Sequence, residues 1–445
     1  MNENIEAFKK EMRGKKAVLL GLGISNVAAA RFLHRMGMEI EARDKSNVGG
    51  EVIEKMNELD ARVICGDEWL CDIDGDIVLR SPGIRPDVLK NVKMTSEMEL
   101  FTSLCPCPIY AVTGSDGKTT TTTIVSKMLE AALPQGRRVW LGGNIGTPLL
   151  DRVDEIDRAD VAVLELSSFQ LMTMDISPRS AVMTNISPNH LNWHISMNEY
   201  VDAKRRIYMS QHVGDSLILN LDNEITRSFI GEARGDVFTF SSRGRADAYL
   251  DGDDIIIFGE KLLNVGEMKL RGRHNAENVM AACLAVFDIA SIADMRAVAT
   301  SFEGVAHRLQ LIHEKNGVKF YNSSIDTSPT RTIAALSSFD EKVILIIGGY
   351  DKHLPTEPLT EPLTEKTKCI ICTGDTGQRI HKMMTGSGYI GHIEYIKSFD
   401  DAVIAASRSA RCGDTVLLSP AAASFDAFRN FEERGERFKT IIKNL

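Results

Sequence analysis

The segment of this chain with the clearest chemistry is a short loop of glycine, lysine and hydroxyl residues, Thr113-Gly114-Ser115-Asp116-Gly117-Lys118-Thr119-Thr120. The loop follows an apolar, strand-like run and precedes a helical pattern, so its backbone N–H groups and the helix N-terminus can surround a phosphate group. Lys118 would neutralise the β- and γ-phosphates of a nucleotide, and the hydroxyl of Thr119 or Thr120 would reach Mg²⁺. The strict G-x-x-x-x-G-K-[ST] pattern is not met, because Val112 stands at its first glycine position. The alternative is a plain glycine-rich turn between a strand and a helix.

Three further residues could serve a divalent cation. Glu165 ends the apolar run VAVLE, and His190 follows the run SAVMTNIS. Because α/β proteins bind ligands at the carboxyl ends of their strands, this carboxylate and imidazole could meet in one cleft. Each also has an ordinary explanation, since Glu165 could cap the next helix and His190 could be a solvated loop residue. Lys204, in YVDAKRRIY, would by itself be a lysine on the surface of a helix.

A second glycine-rich turn lies near the N-terminus. Gly21 and Gly23 supply two of the three glycines of the dinucleotide-binding fingerprint, Asn26 stands where the third belongs, and Asp44 follows the next strand where a ribose-binding acid would be. The pattern favours a nucleotide or a sugar-nucleotide diphosphate at this turn. A tight turn with a purely structural role remains the alternative.

The elements that must position these residues alternate between strands and helices in three successive segments. Apolar runs typical of buried parallel strands are KKAVLL, IVLRSPGI, PIYAV, DVAVLELSS, SAVMTNIS, DSLILNLD, KVILIIGG, KCIICTG and DTVLLSP. This alternation predicts α/β domains with parallel sheets. The long apolar segment 278–300 is interrupted by charged residues, and we interpret it as a buried helix rather than a membrane span.

The composition excludes several classes of function. The chain has 445 residues, 43% of them hydrophobic, and a formal charge of -9, which favours a folded protein of about three domains that does not coat nucleic acid or anionic membranes. The first residues lack the apolar core of a signal peptide, so we expect a cytoplasmic protein. Cys369 and Cys372 have zinc-like spacing but lie in a strand-like run, where side chains three apart face opposite sides. We expect reduced, structural cysteines.

Several motifs, in this order along the chain, resemble the Mur ligase family of ATP-dependent amide ligases of peptidoglycan synthesis: TGSDGKTT, GGNIGTP, LELSSFQL, TNISPNHLNWH, YVDAKRRIY, RGRHNAEN and AHRLQ. The resemblance spans essentially the whole chain. LELSSFQL and the C-terminal SPAAASFDAFRNFEERGERF are most similar to the members that add D-glutamate to UDP-N-acetylmuramoyl-L-alanine. The Asp-Asn-Pro-Arg run of the diaminopimelate- or lysine-adding members is absent.

The resemblance implies three α/β domains: a Rossmann-like UDP-sugar-binding domain over 1–98, a P-loop-like central ATPase domain over 99–305, and a Rossmann-like amino-acid-binding domain over 306–445. It implies that ATP converts a carboxylate to an acyl phosphate, which the amine of D-glutamate then attacks. UDP-N-acetylmuramoyl-L-alanine and D-glutamate would be the substrates of a monomer that binds no nucleic acid.

The same resemblance assigns roles to particular residues. The catalytic residues would be Lys118, His190, Lys204 and Arg308. ATP would contact Gly114, Ser115, Asp116, Gly117, Lys118, Thr119, Thr120, Asn144, Asn275, Asn278, Arg308 and Ser323. The UDP-sugar would contact Gly23, Ile24, Ser25, Asp44, Lys45, Ser81 and Gly83. D-Glutamate would contact Thr327, Lys352, Ser424 and Phe431. Mg²⁺ would be held by Thr119, Glu165, His190 and Lys204, with Lys204 carbamylated by CO₂ to give an oxygen anion suited to the metal.

This chain departs from the family pattern at three places. The Asp-His of the family is Asn189-His190 here, the acid that follows is Asn192, and an Asn-Asp-Ser-Lys stretch is Asn322-Ser323-Ser324-Ile325. The last change removes an acid and a lysine. Three alternatives therefore stand beside the D-glutamate-adding ligase: a Mur- or folylpolyglutamate-type ligase for another amino acid, a catalytically silent UDP-sugar-binding homologue, and, more weakly, a dehydrogenase based on Gly21 and Gly23.

Overall fold

The computed structural model describes residues 3–90, 92–190, 193–270, 272–305, 307–351 and 354–445. Its backbone divides into two units, Met1–Phe302 and Glu303–Leu445. The first unit contains two sheets and the second contains one. Within the described ranges no helix is long and apolar enough to cross a membrane.

The first sheet has the strand order β3-β2-β1-β4-β5, and its neighbouring strands are parallel. Its strands are β1 (Lys16–Leu20), β2 (Glu39–Asp44), β3 (Arg62–Cys65), β4 (Ile77–Arg80) and β5 (Met94–Thr95). The accompanying helices are α1 (Glu3–Met12), α2 (Ile24–Arg35), α3 (Gly50–Asn57) and α4 (Glu97–Leu104). The central strand β1 is apolar and almost entirely buried, as expected for a strand that packs helices on both faces.

The first sheet is joined to the second by contacts from α2 and α4. Arg31 on α2 forms an ion pair with Asp151 at 2.7 Å, and Arg35 pairs with the same carboxylate. Glu97, at the start of α4, is buried and accepts a hydrogen bond from the backbone N–H of Leu150 at 3.1 Å. The acceptor Asp151 and the donor Leu150 both lie on one short 3-10 helix, Leu150–Glu155.

The second sheet has the order β14-β13-β12-β11-β10-β9-β6-β8-β7. The strands are β6 (Ile109–Thr113), β7 (Val139–Gly143), β8 (Val161–Glu165), β9 (Ser180–Met183), β10 (Ser216–Asn220), β11 (Asp236–Ser241), β12 (Ala248–Asp251), β13 (Asp254–Ile257) and β14 (Glu260–Asn264). Pairing is parallel from β7 to β12 and antiparallel in the last two pairs. The strands β6 and β8 therefore end side by side at one edge.

The helices of the second sheet are α5 (Lys118–Ala132), α6 (Ser168–Leu171), α7 (Met197–Met209), α8 (Glu224–Ser228), α9 (Arg273–Val286) and α10 (Ile292–Ser301). The single helix expected over 278–300 is wrong, because α9 ends at Val286 and α10 begins at Ile292. The break has a local cause: Ser291 and Asp294 form a capping box that starts a new helix.

The second unit contains a sheet of order β15-β16-β20-β17-β18-β19. Its strands are β15 (Gln310–Lys315), β16 (Val318–Asn322), β17 (Val343–Gly348), β18 (Thr367–Thr373), β19 (His392–Tyr395) and β20 (Thr415–Leu418). Its helices are α11 (Pro329–Leu336), α12 (Thr360–Lys366), α13 (Gly374–Gly386), α14 (Phe399–Ser409) and α15 (Phe431–Asn444). Only the edge pair β15–β16 is antiparallel among these described strands.

The sheet-forming runs predicted from the sequence all fall on strands of these three sheets. Cys369 and Cys372 lie buried in β18, where the sequence placed them, and both thiols are free. The α/β prediction is confirmed. Continuous apolar runs of this kind are typical of parallel strands that are covered on both faces.

Candidate active site

The predicted phosphate loop connects the end of β6 to the start of α5. Gly114 has φ +148° and Gly117 has φ +78°, backbone angles that residues other than glycine rarely adopt. A Cβ atom at Gly114 would lie 1.9 Å from Thr184 Oγ1, and one at Gly117 would lie 2.5 Å from Asn278 Oδ1. Gly117 is also the N-cap of α5, so no side chain caps the first backbone N–H groups of this helix. Such N–H groups are suited to bind an anion.

Lys118 curls back over the loop. Its ammonium donates to the backbone carbonyls of Gly114 at 2.9 Å and Ser115 at 2.8 Å. Thr119, the second residue of α5, is buried, and Thr120 is half-buried. The loop lysine and these hydroxyls therefore lie at one helix end, as the sequence predicted.

The buried Ser115 and the backbone of the exposed Asp116 are hydrogen-bonded to the segment that follows β9. Ser115 Oγ accepts from the backbone N–H of Ser187 at 2.9 Å and lies 2.8 Å from the hydroxyl of Tyr200. The backbone N–H of Asp116 donates to Asn185 Oδ1 at 3.0 Å. Sequence reasoning did not identify Tyr200, because a buried aromatic residue on a helix usually signals core packing alone.

Lys204 is not the surface lysine that its helix alone would suggest. The side chain is buried, and its nitrogen donates to Gly114 O at 2.7 Å and to Thr113 Oγ1 at 3.3 Å. Burial lowers the pKa of Lys204 well below its ordinary value, and the nearby charge of Lys118 lowers it further. A lowered pKa raises the fraction of Lys204 present as the neutral, nucleophilic amine at a given pH.

Glu165 supplies a carboxylate oxygen to the same edge of the sheet. It ends β8 directly beside Val112 of β6. Its Oε1 accepts from Asn144 Nδ2 at 2.8 Å, whereas its Oε2 is buried without a hydrogen-bond partner among the described residues. An orphaned buried carboxylate oxygen is costly unless a cation or proton completes it. Hard oxygen donors of this kind are those that Mg²⁺ prefers, so Glu165 and the Thr119 hydroxyl fit the metal.

His190 lies on an exposed turn with an unusual backbone. Its φ is +54°, and its ring lies edge-on to Phe169 with the centroids 4.9 Å apart. Asn189, where the family has an acid, accepts from the backbone N–H of His190 at 2.8 Å. No cluster of three His, Cys, Asp or Glu side chains suited to a metal occurs among the described residues. A metal here would need the threonine hydroxyl, the modified lysine or a bound nucleotide as further ligands.

The asparagines predicted to contact nucleotide flank the loop helix. Asn278 on α9 accepts from Thr121 Oγ1 at 3.1 Å and donates to Asn275 Oδ1 at 3.1 Å. Asn144 follows β7, and its backbone N–H donates to Glu165 O at 2.8 Å. The sequence alone could not show that Asn278 and Asn144 also support, respectively, Gly117 and Glu165.

The first sheet gathers its predicted residues around the turn after β1. Asp44 accepts from the backbone N–H of Leu22 at 2.8 Å, and Ser81 lies so close to Gly21 that a Cβ there would be 2.9 Å from the serine Cβ. Gly23, Ile24 and Lys45 are exposed, Ser25 is half-buried, and Gly83 is exposed on the loop after β4. Asp44 and Ser81 thus lie against the turn.

Asn26 explains why the fingerprint lacks its third glycine. Its side-chain nitrogen donates to Leu20 O at 2.9 Å and Gly21 O at 2.8 Å. The buried amide therefore fixes the turn through hydrogen bonds. The sequence pattern treats Asn26 as a missing glycine, although its side chain stabilises the turn.

In the second unit, Ser323 and Ser424 are buried, whereas Arg308 is exposed. Ser323 Oγ accepts from the backbone N–H of Leu309 at 3.1 Å, so part of its bonding capacity is already used. Thr327 lines a shallow depression with Tyr350, Asp351 and Arg379. Phe431 begins α15. Lys352 lies outside the described residues.

Asp326 is an acid that the sequence analysis overlooked. It is buried next to the changed stretch and accepts from Ser419 Oγ at 2.8 Å. Burial raises the pKa of Asp326, while hydrogen bonds from Ser323 and Ser419 oppose the rise. The sequence did contain one signal for Asp326, because this acid lies only three residues after Ser323.

Fold and loop together define a class, α/β proteins in which a P-loop-like turn joins a parallel strand to a helix. The family model for the Mur ligase middle domain matches residues 112–286, and that for the Mur ligase glutamate ligase domain matches residues 307–422. The chain belongs to the Mur ligase family. It is 47% identical to the UDP-N-acetylmuramoylalanine--D-glutamate ligase of Acetivibrio thermocellus and 43% identical to that of Ruminiclostridium cellulolyticum, with 100% of each chain covered in both comparisons.

Solved structures of the family share the fold at much lower identity. A MurF structure from Acinetobacter baumannii has a TM-score of 0.60 at 14% identity and covers 100% of this chain and 98% of its own. A UDP-N-acetylmuramate-alanine ligase from Thermotoga maritima has a TM-score of 0.58 at 17% identity and covers 97% and 99%. The predicted family, the three-domain α/β class and the prediction of an enzyme are confirmed. The dehydrogenase alternative is excluded.

Proposed function

We propose that this chain joins D-glutamate to UDP-N-acetylmuramoyl-L-alanine at the expense of ATP, in peptidoglycan synthesis. The observation that carries the proposal is the convergence of Lys118, Lys204 and Glu165 at the ends of β6 and β8, in a chain 47% identical over its whole length to a ligase named for that reaction. The proposed domains are 1–98 for the UDP-sugar, 99–305 for ATP and 306–445 for the amino acid. A cytoplasmic monomer is the proposed working form.

The proposed reaction has two balanced steps. An oxygen of the alanine carboxylate attacks the γ-phosphorus of ATP, the bond to the bridging oxygen breaks, and an acyl phosphate and ADP result. The amine of D-glutamate then attacks the acyl carbon, loses a proton and displaces phosphate. Because phosphoryl transfer requires mainly positioning and charge neutralisation, this chain provides for the first step the ammonium of Lys118 and the N–H groups at the start of α5, where Gly117 supplies no capping side chain.

Bound Mg²⁺ would neutralise phosphate charge in the first step. Glu165, with its unpartnered Oε2, and Thr119 would hold it, and we propose that Lys204 and His190 contribute to the same site. Carbamylation would add CO₂ to the neutral Lys204 amine, release one proton and leave a carboxylate-like anion. The same Lys204 nitrogen now bonds Gly114 O, so the modification would also act on the phosphate loop.

The substrate contacts of the other domains are proposed by family resemblance and supported by their placement. Ser81 and Asp44 border the turn after β1, where a diphosphate would meet the start of α2. D-Glutamate is proposed to bind the second unit through Thr327, Lys352, Ser424 and Phe431. Arg308 and Ser323 are proposed ATP contacts, although the burial of Ser323 limits what it can offer a ligand.

The assay that tests this function is phosphate release with UDP-N-acetylmuramoyl-L-alanine, ATP, Mg²⁺ and single amino acids. We expect release with D-glutamate, and at least about tenfold less with L-glutamate, D-aspartate, L-lysine or diaminopimelate. Release with another amino acid only would support the ligase alternative. No release with any of them, despite measured binding of the UDP-sugar, would support the silent homologue.

The metal proposal predicts the effect of changing Glu165. Glu165→Gln keeps the size and the Oε1 contact to Asn144 but removes the negative charge, so the Mg²⁺ concentration for half-maximal rate should rise at least about tenfold. A Mg²⁺ titration of phosphate release measures this effect. The control is Glu155→Gln, which alters an acid 44% exposed in an ion pair with Arg152 and should leave the titration unchanged. Equal Mg²⁺ requirements for Glu165→Gln and wild type would remove Glu165 from the metal site.

A further inference from the structure

A cluster of charged and aromatic side chains connects the loop after β4 to the turn that carries His190. Its members are Arg85, Trp193, His194 and Glu199, which we call the Arg85 relay. Arg85 belongs to the first sheet, and the other three precede or begin α7 beside the second sheet. None of these four residues received a role from the sequence.

Arg85 forms the centre of this cluster. Its guanidinium donates to both oxygens of Glu199, at 2.9 and 3.1 Å, and to the backbone carbonyl of Trp193 at 2.9 Å. Its Cζ also lies 5.2 Å from the centre of the Trp193 ring. A second pair of hydrogen bonds joins Arg85 to Asp87, whose side chain is 66% exposed. The planar arginine fork thus holds one partner inside the protein and one at its surface.

Glu199 contacts His194 as well as Arg85. Glu199 Oε2 accepts from the backbone N–H of Ile195 at 2.9 Å and lies 3.2 Å from His194 Nδ1. A hydrogen bond from Arg85 is the main cause that lowers the pKa of Glu199 to about 2, so the carboxylate accepts only. His194 Nδ1 must therefore carry the proton. Burial favours the neutral imidazole, and Nε2 then accepts from Ser168 Oγ at 2.9 Å.

The relay ends on the residues that surround His190. The Phe169 ring contacts the rings of Trp193 at 4.5 Å, His194 at 5.7 Å and His190 at 4.9 Å. The backbone N–H groups of Trp193 and His194 both donate to His190 O, at 2.9 and 3.0 Å. These contacts hold His190 at φ +54°. A residue stays in that region only where its surroundings fix it, and such positions cluster at functional sites.

At its other end the relay contacts the loop that we assign to the UDP-sugar. Trp193 Nε1 donates to Gly83 O at 3.0 Å. The buried Arg80 donates to Ile84 O at 3.0 Å and to Phe169 O at 2.9 Å, so the loop is tied to Phe169 as well. Residues 81–85 therefore share hydrogen bonds with Trp193 directly and with Phe169 through Arg80.

We propose that the Arg85 relay is a positioning device that sets the His190 turn and the start of α6 according to the state of the 81–85 loop. This inference rests on the proposed function, because it assigns the 81–85 loop to the UDP-sugar and His190 to the reaction site. Arg85 acts through Glu199 and Trp193 and touches no reacting atom. Occupancy of the sugar-nucleotide site would thereby favour the reactive arrangement about 100 residues further along the chain.

The kinetic test compares Arg85→Ala and Arg85→Lys with wild type. We expect Arg85→Ala to lower kcat about 30- to 100-fold, because small misplacements of reacting groups have effects of that order. The KM for ATP should change less than about twofold. Arg85→Lys should recover at least about a third of the rate, since it restores one charged bond to Glu199. Asp87→Ala is the matched control, because it removes only the exposed partner of Arg85, and it should match wild type.

The second measurement needs no turnover. The chain has three tryptophans, so protein labelled with 5-fluorotryptophan gives few ¹⁹F resonances, and Trp193→Phe identifies that of Trp193. We expect UDP to shift the Trp193 resonance in wild type and Asp87→Ala. In Arg85→Ala, the Trp193 resonance should already be displaced without ligand, while those of Trp69 and Trp140 stay in place.

The outcomes separate the two proposals. A wild-type protein that never releases phosphate contradicts the proposed function, and the ¹⁹F shift with UDP still decides whether the loop and Trp193 are coupled. A wild-type protein that turns over, with Arg85→Ala equally fast, overturns the relay. Calorimetric binding of UDP without a shift of Trp193 overturns it as well. Loss of rate in Arg85→Ala with no recovery in Arg85→Lys and a lowered unfolding temperature would show a purely structural role.

Discussion

Replacing Lys118 with alanine is expected to lower the rate of phosphate release about a hundred- to a thousandfold or more. Lys118 is the cation of the phosphate loop, and removing one preorganised group that stabilises charge in a transition state typically has an effect of that size. The side chain is half-buried, and its ammonium donates to the loop carbonyls of Gly114 and Ser115. It does not belong to a hydrophobic core, so the fold should persist.

The measurement is steady-state phosphate release together with thermal unfolding of the same preparations. Lys127→Ala is the matched control, since Lys127 is an exposed lysine on the same helix α5. It should retain the wild-type rate. A folded Lys118→Ala protein with near-normal release would show that this loop does not handle the transferred phosphate.

Replacing Lys204 with alanine should leave almost no activity, and a short carboxylate should restore part of it. The lysine is buried beside Gly114, Lys118 and Glu165, where a charged ammonium is disfavoured and a carbamate can be compensated by a cation. Alanine removes the anion and leaves space for acetate or formate to replace it. We expect wild-type activity to fall when dissolved CO₂ is removed, because carbamate formation is reversible.

Rescue is measured as phosphate release over a series of acetate concentrations. The control is Arg205→Ala, which changes the adjacent, more exposed residue of α7. It should be active without acetate and unaffected by it. Full activity of Lys204→Ala without a carboxylate would show that the lysine is only structural. An inactive variant that no carboxylate rescues, together with CO₂-independent wild-type activity, would contradict the carbamate.

The parts of the fold that were predictable are those governed by local pattern. Buried parallel strands appear as uninterrupted apolar runs, and the phosphate loop appears as glycines between a strand and a helix, because both constraints act on neighbouring residues. The sequence also indicated that Glu165 ends a strand. It could not indicate that one oxygen of Glu165 is buried without a partner, since that depends on Asn144 and on what surrounds the strand end.

The parts that were not predictable depend on contacts between distant segments. Arg85 and Glu199 are separated by 114 positions, and an arginine after Ile84 resembles any surface arginine in the sequence. Lys204 looked like a surface residue because its helix is amphipathic, and only the packing of α7 against the loop buries it. Ser323 was interpreted as a ligand contact from its place in a motif, whereas its burial and its bond from Leu309 arise from the fold.

The buried carboxyl of Glu97 links the joint between the first two sheets to proton concentration. Burial raises the pKa of Glu97 to about 7, while the N–H groups of Leu150 and Leu149 oppose the rise. An unfolded glutamate has a pKa near 4.3, so the folded chain holds this proton more tightly. By linkage, the free energy of unfolding is highest below about pH 4.3 as far as Glu97 is concerned, and this contribution is lost as the pH rises toward 7. Because Glu97 takes up or releases its proton in the range around neutrality, the contact between α4 and the segment at Leu150 is a joint whose strength follows small changes of acidity.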